Sequence, residues 1–133
     1  MTHIPATDLA TEIGTQVGSL TLGTNLFAST IRAPDSNIPK DSVFVWDDGG
    51  LKPLRSMGDS DEIRTVLVHV RVRNVKLAAG SALAHSIMNL LRGDDVSTYL
   101  DVEIAISGPR ALGKDSDGNH YSGLEYLMTY QEP

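Results

Sequence analysis

Four histidines and two groups of carboxylates are the residues in this chain whose types could do chemistry. His85 falls in a helical segment beside Ala84 and Ser86, and His69 falls on the polar side of an alternating strand. Neither has a carboxylate or second histidine at metal-ligand spacing along the chain, so structural or surface roles are expected; His3 and His120 are the other two histidines. Asp115-Ser116-Asp117-Gly118-Asn119 has the form of the first half of a calcium loop. The pattern then breaks, because His120 replaces the glycine of the sharp turn and Tyr126 replaces the closing glutamate. A polar hairpin tip is the simpler reading. Asp47-Asp48 and the run Asp59, Asp61, Glu62 could hold a cation or share a proton, but beside glycines or in irregular segments such clusters are usually solvated surface.

Nothing else supplies a reaction. There is no cysteine among the 133 residues, which removes disulfides, thiolate nucleophiles and cysteine-based zinc sites. There is no phosphate-cradling glycine loop followed by lysine, no Gly-x-Ser-x-Gly elbow and no dinucleotide fingerprint. No cofactor is expected. The net charge is −6, from 17 acidic and 11 basic side chains. That is the reverse of the basic excess with which proteins grip phosphates, and the basic residues are dispersed except for Arg64, Arg71 and Arg73. Aromatics make up 5% of the chain, too few for a base-stacking platform. No apolar run approaches the roughly 18 residues of a membrane-spanning helix, and Met1–Ala10 lacks a signal pattern. A soluble chain made in the cytoplasm is expected.

The elements that must carry these side chains are legible from periodicity. Val66, Val68, Val70 and Val72 alternate with Leu67, His69, Arg71 and Arg73, giving a strand over 64–73 with one apolar and one polar face. The period then changes to that of a helix, with an apolar stripe through Ala79, Leu83, Ile87, Leu90 and Leu91 and Gly93 as its end. Packing this helix on the valine face is the simplest way to bury both. An earlier helix is marked by Leu9, Ile13, Val17 and Leu20, with Thr7 as its N-cap. Strands are expected at 25–32, at 43–46, along Val102, Ile104 and Ile106, and from Leu124 to Tyr130. Asp47-Asp48-Gly49-Gly50 reads as a turn, 51–62 as an exposed connection, and 107–121 as a long hairpin connection with an Asp-Gly turn near its tip. The class is α+β: one domain over residues 1–133, with a mostly antiparallel four- to five-stranded sheet and two helices packed on one face.

Several of these pieces, taken in order, resemble the tail terminator (minor capsid) proteins of long-tailed bacteriophages. They are the N-terminal helix followed by Leu22-Gly23-Thr24-Asn25-Leu26-Phe27, the apolar strand ending in Asp47-Asp48-Gly49-Gly50, and Val68-His69-Val70-Arg71-Val72-Arg73 feeding an alanine-rich helix. Then come Ser107-Gly108-Pro109, Leu112-Gly113-Lys114-Asp115 and Asp117-Gly118-Asn119 before a last strand. The resemblance runs from about Asp8 to Tyr130. It implies a non-enzymatic virion protein of the tail or neck, assembled in the host cytoplasm. Such a protein forms a ring, usually of six copies, that caps the tail tube, stops its growth and meets the head-completion proteins, while DNA crosses the bore without specific binding. Assembly would then use the sheet faces and the loops 51–62 and 107–121. The candidate interface residues are Asp59, Asp61, Glu62, Arg71, Arg73, Arg110, Lys114, Asp115 and Asp117. Asp47 and Asp48 are candidate lumen acids that would repel phosphate. Two other readings stand beside it: a different connector ring, such as a head-completion protein or tube adaptor, and a small enzyme or ligand-binding α+β domain.

Overall fold

The protein's structure, a computed structural model, describes residues 3–28, 39–50, 54–55, 62–91, 96, 99–105 and 108–132. In chain order the elements are α1 (Pro5–Gln16), β1 (Leu26–Phe27), β2 (Ser42–Gly50), β3 (Leu54–Arg55), β4 (Glu62–Asn74), α2 (Leu77–Leu90), β5 (Asp101–Ile104), β6 (Arg110–Lys114) and β7 (His120–Glu132). The α+β class holds, but the sheet is larger than expected and mixed. Seven strands are found among the described residues, in the path β1-β2-β4-β7-β5 with β3 on β4 and β6 on β7. β1 runs parallel to β2, and the other pairs are antiparallel. Two-residue strands such as β1 and β3 carry no periodicity that a sequence pattern can report.

The frame is the pair β4 and β7. All thirteen residues of one are in register with the thirteen of the other, from Glu62 opposite Glu132 to Asn74 opposite His120. Because side chains alternate across a strand, the even positions of both face one way. Val66, Val68, Val70, Val72, Leu124, Tyr126, Met128 and Tyr130 are buried there in one core with Val43 and Val45 of β2. The same core takes Ala6, Leu9, Ala10 and Ile13 of α1 and Ala84 and Ile87 of α2, so both helices cover a single face of the sheet.

Element boundaries differ from expectation for physical reasons. α1 begins at Pro5, ahead of Thr7: proline suits the first helical position because its missing N–H would have no partner there, and the Asp8 carboxylate accepts the Ile4 N–H at 3.2 Å. Val17 and Leu20 are buried beyond the helix end. The buried stripe of α2 runs through Gly80, Ala84, Ile87 and Leu91, with Leu83 at its margin and Ala79 exposed. Gly93 lies outside the described residues, as does the second half, 29–32, of the expected strand 25–32, whose described half holds β1. Asp47–Gly50 is not a turn: it continues β2, because β4 is long enough to pair with it, with a register shift between Asp47 and Gly50. Likewise 107–121 is not a loop throughout, since β6 pairs with β7 from Arg110 opposite Gly123 to Lys114 opposite His120. No helix among the described residues is long and apolar enough to cross a membrane.

Candidate functional site

The odd positions of β4 and β7 point to the sheet face that carries neither helix. Register fixes what meets there. Phe44, Arg71, Gly123 and Arg110 form one row across β2, β4, β7 and β6; Trp46, His69 and Glu125 form the next. The residues of these two rows are half-buried or exposed, in contrast to the sealed helix side.

Stacked rings and cations organise the face. The Trp46 ring lies on the His69 ring at 5.1 Å between centroids, and the Arg71 guanidinium sits 4.8 Å above Trp46 and 5.8 Å from Tyr121. Such contacts hold a cation over the negative face of an aromatic ring. Arg73 stacks on Phe44 at 5.3 Å and donates to the carbonyls of Pro39 and Lys40 at 2.7 and 3.0 Å, tying the start of β2 to the end of β4. His69 bridges three strands: its Nε2 meets the Asp48 carboxylate, and its Nδ1 lies 3.7 Å from Glu125 Oε1. Between Arg71 and Arg110, Gly123 has no side chain of its own. Leu112 packs over that position, so a β-carbon at Gly123 would stand 2.9 Å from Leu112 Cδ1. The resulting groove encloses about 260 Å³, with Trp46, Arg71, Arg110 and Leu112 among its walls.

β6 and its turn form an arm. Every residue of Arg110–Lys114 is exposed. Gly113, at φ 103°, marks the register shift that lets Leu112 bulge, an irregularity for which glycine in the left-handed region is suited. At the tip, Asp115 does not point outward to take a cation. Its Oδ1 accepts the N–H groups of Asp117 and Asn119 at 2.9 Å each, and its Oδ2 accepts the Tyr121 hydroxyl at 2.9 Å and the Asn119 side-chain amide at 3.3 Å. Chiefly the Asn119 N–H, with the other donors, holds this carboxyl below its usual pKa. Among the described residues no group of three or more potential ligands could hold a metal ion.

The expected site residues therefore separate. Arg71, Arg73 and Arg110 come together on the open face. Lys114 lies on the arm's other side, Asp117 is exposed at the tip, and Asp115 is consumed in building it. Glu62 is at the far end of β4, with its Oε2 3.0 Å from Arg64. Asp59 and Asp61 lie outside the described residues. Asp47 and Asp48, paired as lumen acids, are sent to opposite faces by strand alternation. Asp48 meets His69, whereas Asp47 lies opposite Val68 on the helix side. Trp46, His69, Glu125, Leu112 and Gly123 were not singled out from sequence as groove residues. The odd-even pattern placed 69 with 71 on one face, but what stands beside them depends on a register with β7 that no local pattern fixes.

No protein-family model and no curated protein matches this chain. A solved structure described as the virion of a native gene transfer agent particle contains a chain of similar fold. It is 10% identical with a TM-score of 0.60, and the match covers 98% of this chain and 100% of that one.

Proposed function

We propose that this chain is a structural virion protein of a tailed-phage-type particle: a tail terminator that assembles into a ring, with six copies expected, caps the tail tube and joins it to the head-completion proteins. The observation that carries this reading is the end-to-end fold match to a chain of a gene transfer agent virion. Because it spans both chains almost completely, the shared unit is the whole domain and not a common sub-motif. The sequence resemblance to tail terminators, drawn from the order of separate pieces of the chain, points the same way.

The arrangement of the surface is suited to assembly. One sheet face is sealed by two helices, while the other presents stacked rings, cations and an exposed β-arm. Three arginines on that face stand within a chain of net charge −6, which favours contact with acidic protein surfaces and disfavours retention of DNA. Ring closure would use one patch against a different patch on the next copy.

The test is to assemble particles with the gene for this chain removed and image them by negative stain. Tails longer than normal are the expected result. Tails of normal length that lack heads would assign the chain to a joining ring instead, and unaltered particles would overturn the virion reading.

A further inference from the structure

We propose that the groove between Arg71 and Arg110 receives the acidic end of the same sheet face on a second copy of this chain, with Asp101 and Glu103 supplying the carboxylates. This rests on the self-assembly reading above and names its contact. The two arginines flank Gly123 on neighbouring strands, so their Cα atoms are about 10 Å apart at the usual strand spacing. Leu112 covers the glycine between them and gives the groove an apolar wall, and Trp46 stacked under Arg71 fixes one guanidinium in place. Neither arginine makes an ion pair with a described residue. A fixed guanidinium is a strong, geometrically selective partner for a carboxylate.

The same face is polarised along its strands. Arg71, Arg73 and Arg110 occupy the end where β4 stops. Glu103 lies opposite Leu127 and Asp101 opposite Thr129, toward the other end. Both acids are exposed and likewise make no ion pair with a described residue. Four to six residues of strand separate the two ends, roughly 14–20 Å. A polymer of phosphates laid across this face would meet Arg71 and Arg110 but also Glu103, Asp101, Glu125 and Asp48. Only a partner bearing both signs, spaced alike, fits both ends, and a second copy displaced along the face provides that. A head-to-tail contact of this kind joins two different patches, as ring closure requires.

The test uses two charge-reversed forms of the full chain, Arg71→Glu with Arg110→Glu and Asp101→Lys with Glu103→Lys, in analytical ultracentrifugation at low salt. Each alone should associate at least about tenfold more weakly than wild type. Mixing the two, or combining all four changes in one chain, should restore association. Arg71→Gln with Arg110→Gln serves if a reversed form does not fold, and should weaken association in the same direction. Wild-type association by both reversed forms would overturn the proposal while leaving self-assembly standing. Unchanged association with loss of duplex-DNA retention would place phosphate in the groove and also overturn it. A wild-type chain that stays monomeric, alone and on tails, would overturn both readings.

Discussion

The two faces of one sheet divide the work of this molecule. On the helix side, Val66, Val68, Val70 and Val72 meet Ile87, Ala84 and Ile13 in a core with almost no exposed area. On the other side, the same strand offers His69, Arg71 and Arg73 to rings and carboxylates. Burial of apolar area is non-directional and roughly proportional to area, so the first face specifies that the chain folds. Stacked cations and cross-strand carboxylates depend on geometry and contribute little to stability when half-exposed, so the second face is free to serve recognition.

Substitutions should separate these two roles. The largest effect is expected from Ile87→Ala, since Ile87 is fully buried between α2 and the sheet. Removing it takes away apolar contact and leaves a cavity, costing about 3 kcal/mol in urea unfolding. Arg71→Ala on the open face should shift the same curve by under about 0.5 kcal/mol while weakening self-association. Equal destabilisation by the two changes would erase the distinction between the faces.

Alkaline pH probes the buried side next. Burial first, and then the Asp8 carboxylate accepting its hydroxyl at 2.6 Å, pushes the Tyr99 phenol up; burial alone raises Tyr126. Both native pKa values exceed the unfolded value of 10.0. The stabilisation is therefore complete below that pH and is lost as pH rises above it, because the unfolded chain ionises first. Each phenol should remove about 1.4 kcal/mol per pH unit above pH 10. Tyr126→Phe should delete one of these two contributions. The Tyr126 hydroxyl has no hydrogen-bond partner among the described residues, so at neutral pH the change should cost little or add stability. A slope that does not move in Tyr126→Phe would show that this phenol ionises without unfolding.

What was legible in the sequence follows the same division. The valine alternation of β4 and the helical stripe through Ile87 and Leu91 announced the covered face, because burial leaves a period in the chain. The stripe was misplaced at Ala79, which is exposed, since spacing alone does not fix a helix's rotation about its axis. The open face left no such trace. Trp46 beside His69 and Glu125 beside His69 are separated by 23 and 56 positions, and only register joins them. Asp47-Asp48 read as a turn because two acids before two glycines look like one; a long β4 recruited them into a strand and split their side chains between faces. The Asp-Gly turn of the arm was legible, because Gly118 at φ 87° adopts a backbone that few other residues tolerate. That the approach to it is a strand was not, since Arg110–Lys114 is exposed throughout and shows no alternation.

The arm gives the smallest expected change in stability and the sharpest local one. Asp115 holds the tip through four accepted hydrogen bonds, and its carboxyl is held below the ordinary value of 3.8 mainly by the Asn119 N–H. The sign follows: the turn is supported above the ordinary carboxylate pKa, and that support is lost as pH falls through the lower native value. Asp115→Ala should therefore raise hydrogen exchange at the Asp117 and Asn119 amides at neutral pH while leaving the midpoint of global unfolding in place, because the core lies under β4 and α2 and not under the arm. Removing residues 115–119 altogether should leave a folded chain that no longer completes tails, if the tip reaches a neighbouring ring. Normal particles from that deletion would confine the arm to flanking the groove, where Arg110 and Leu112 already stand.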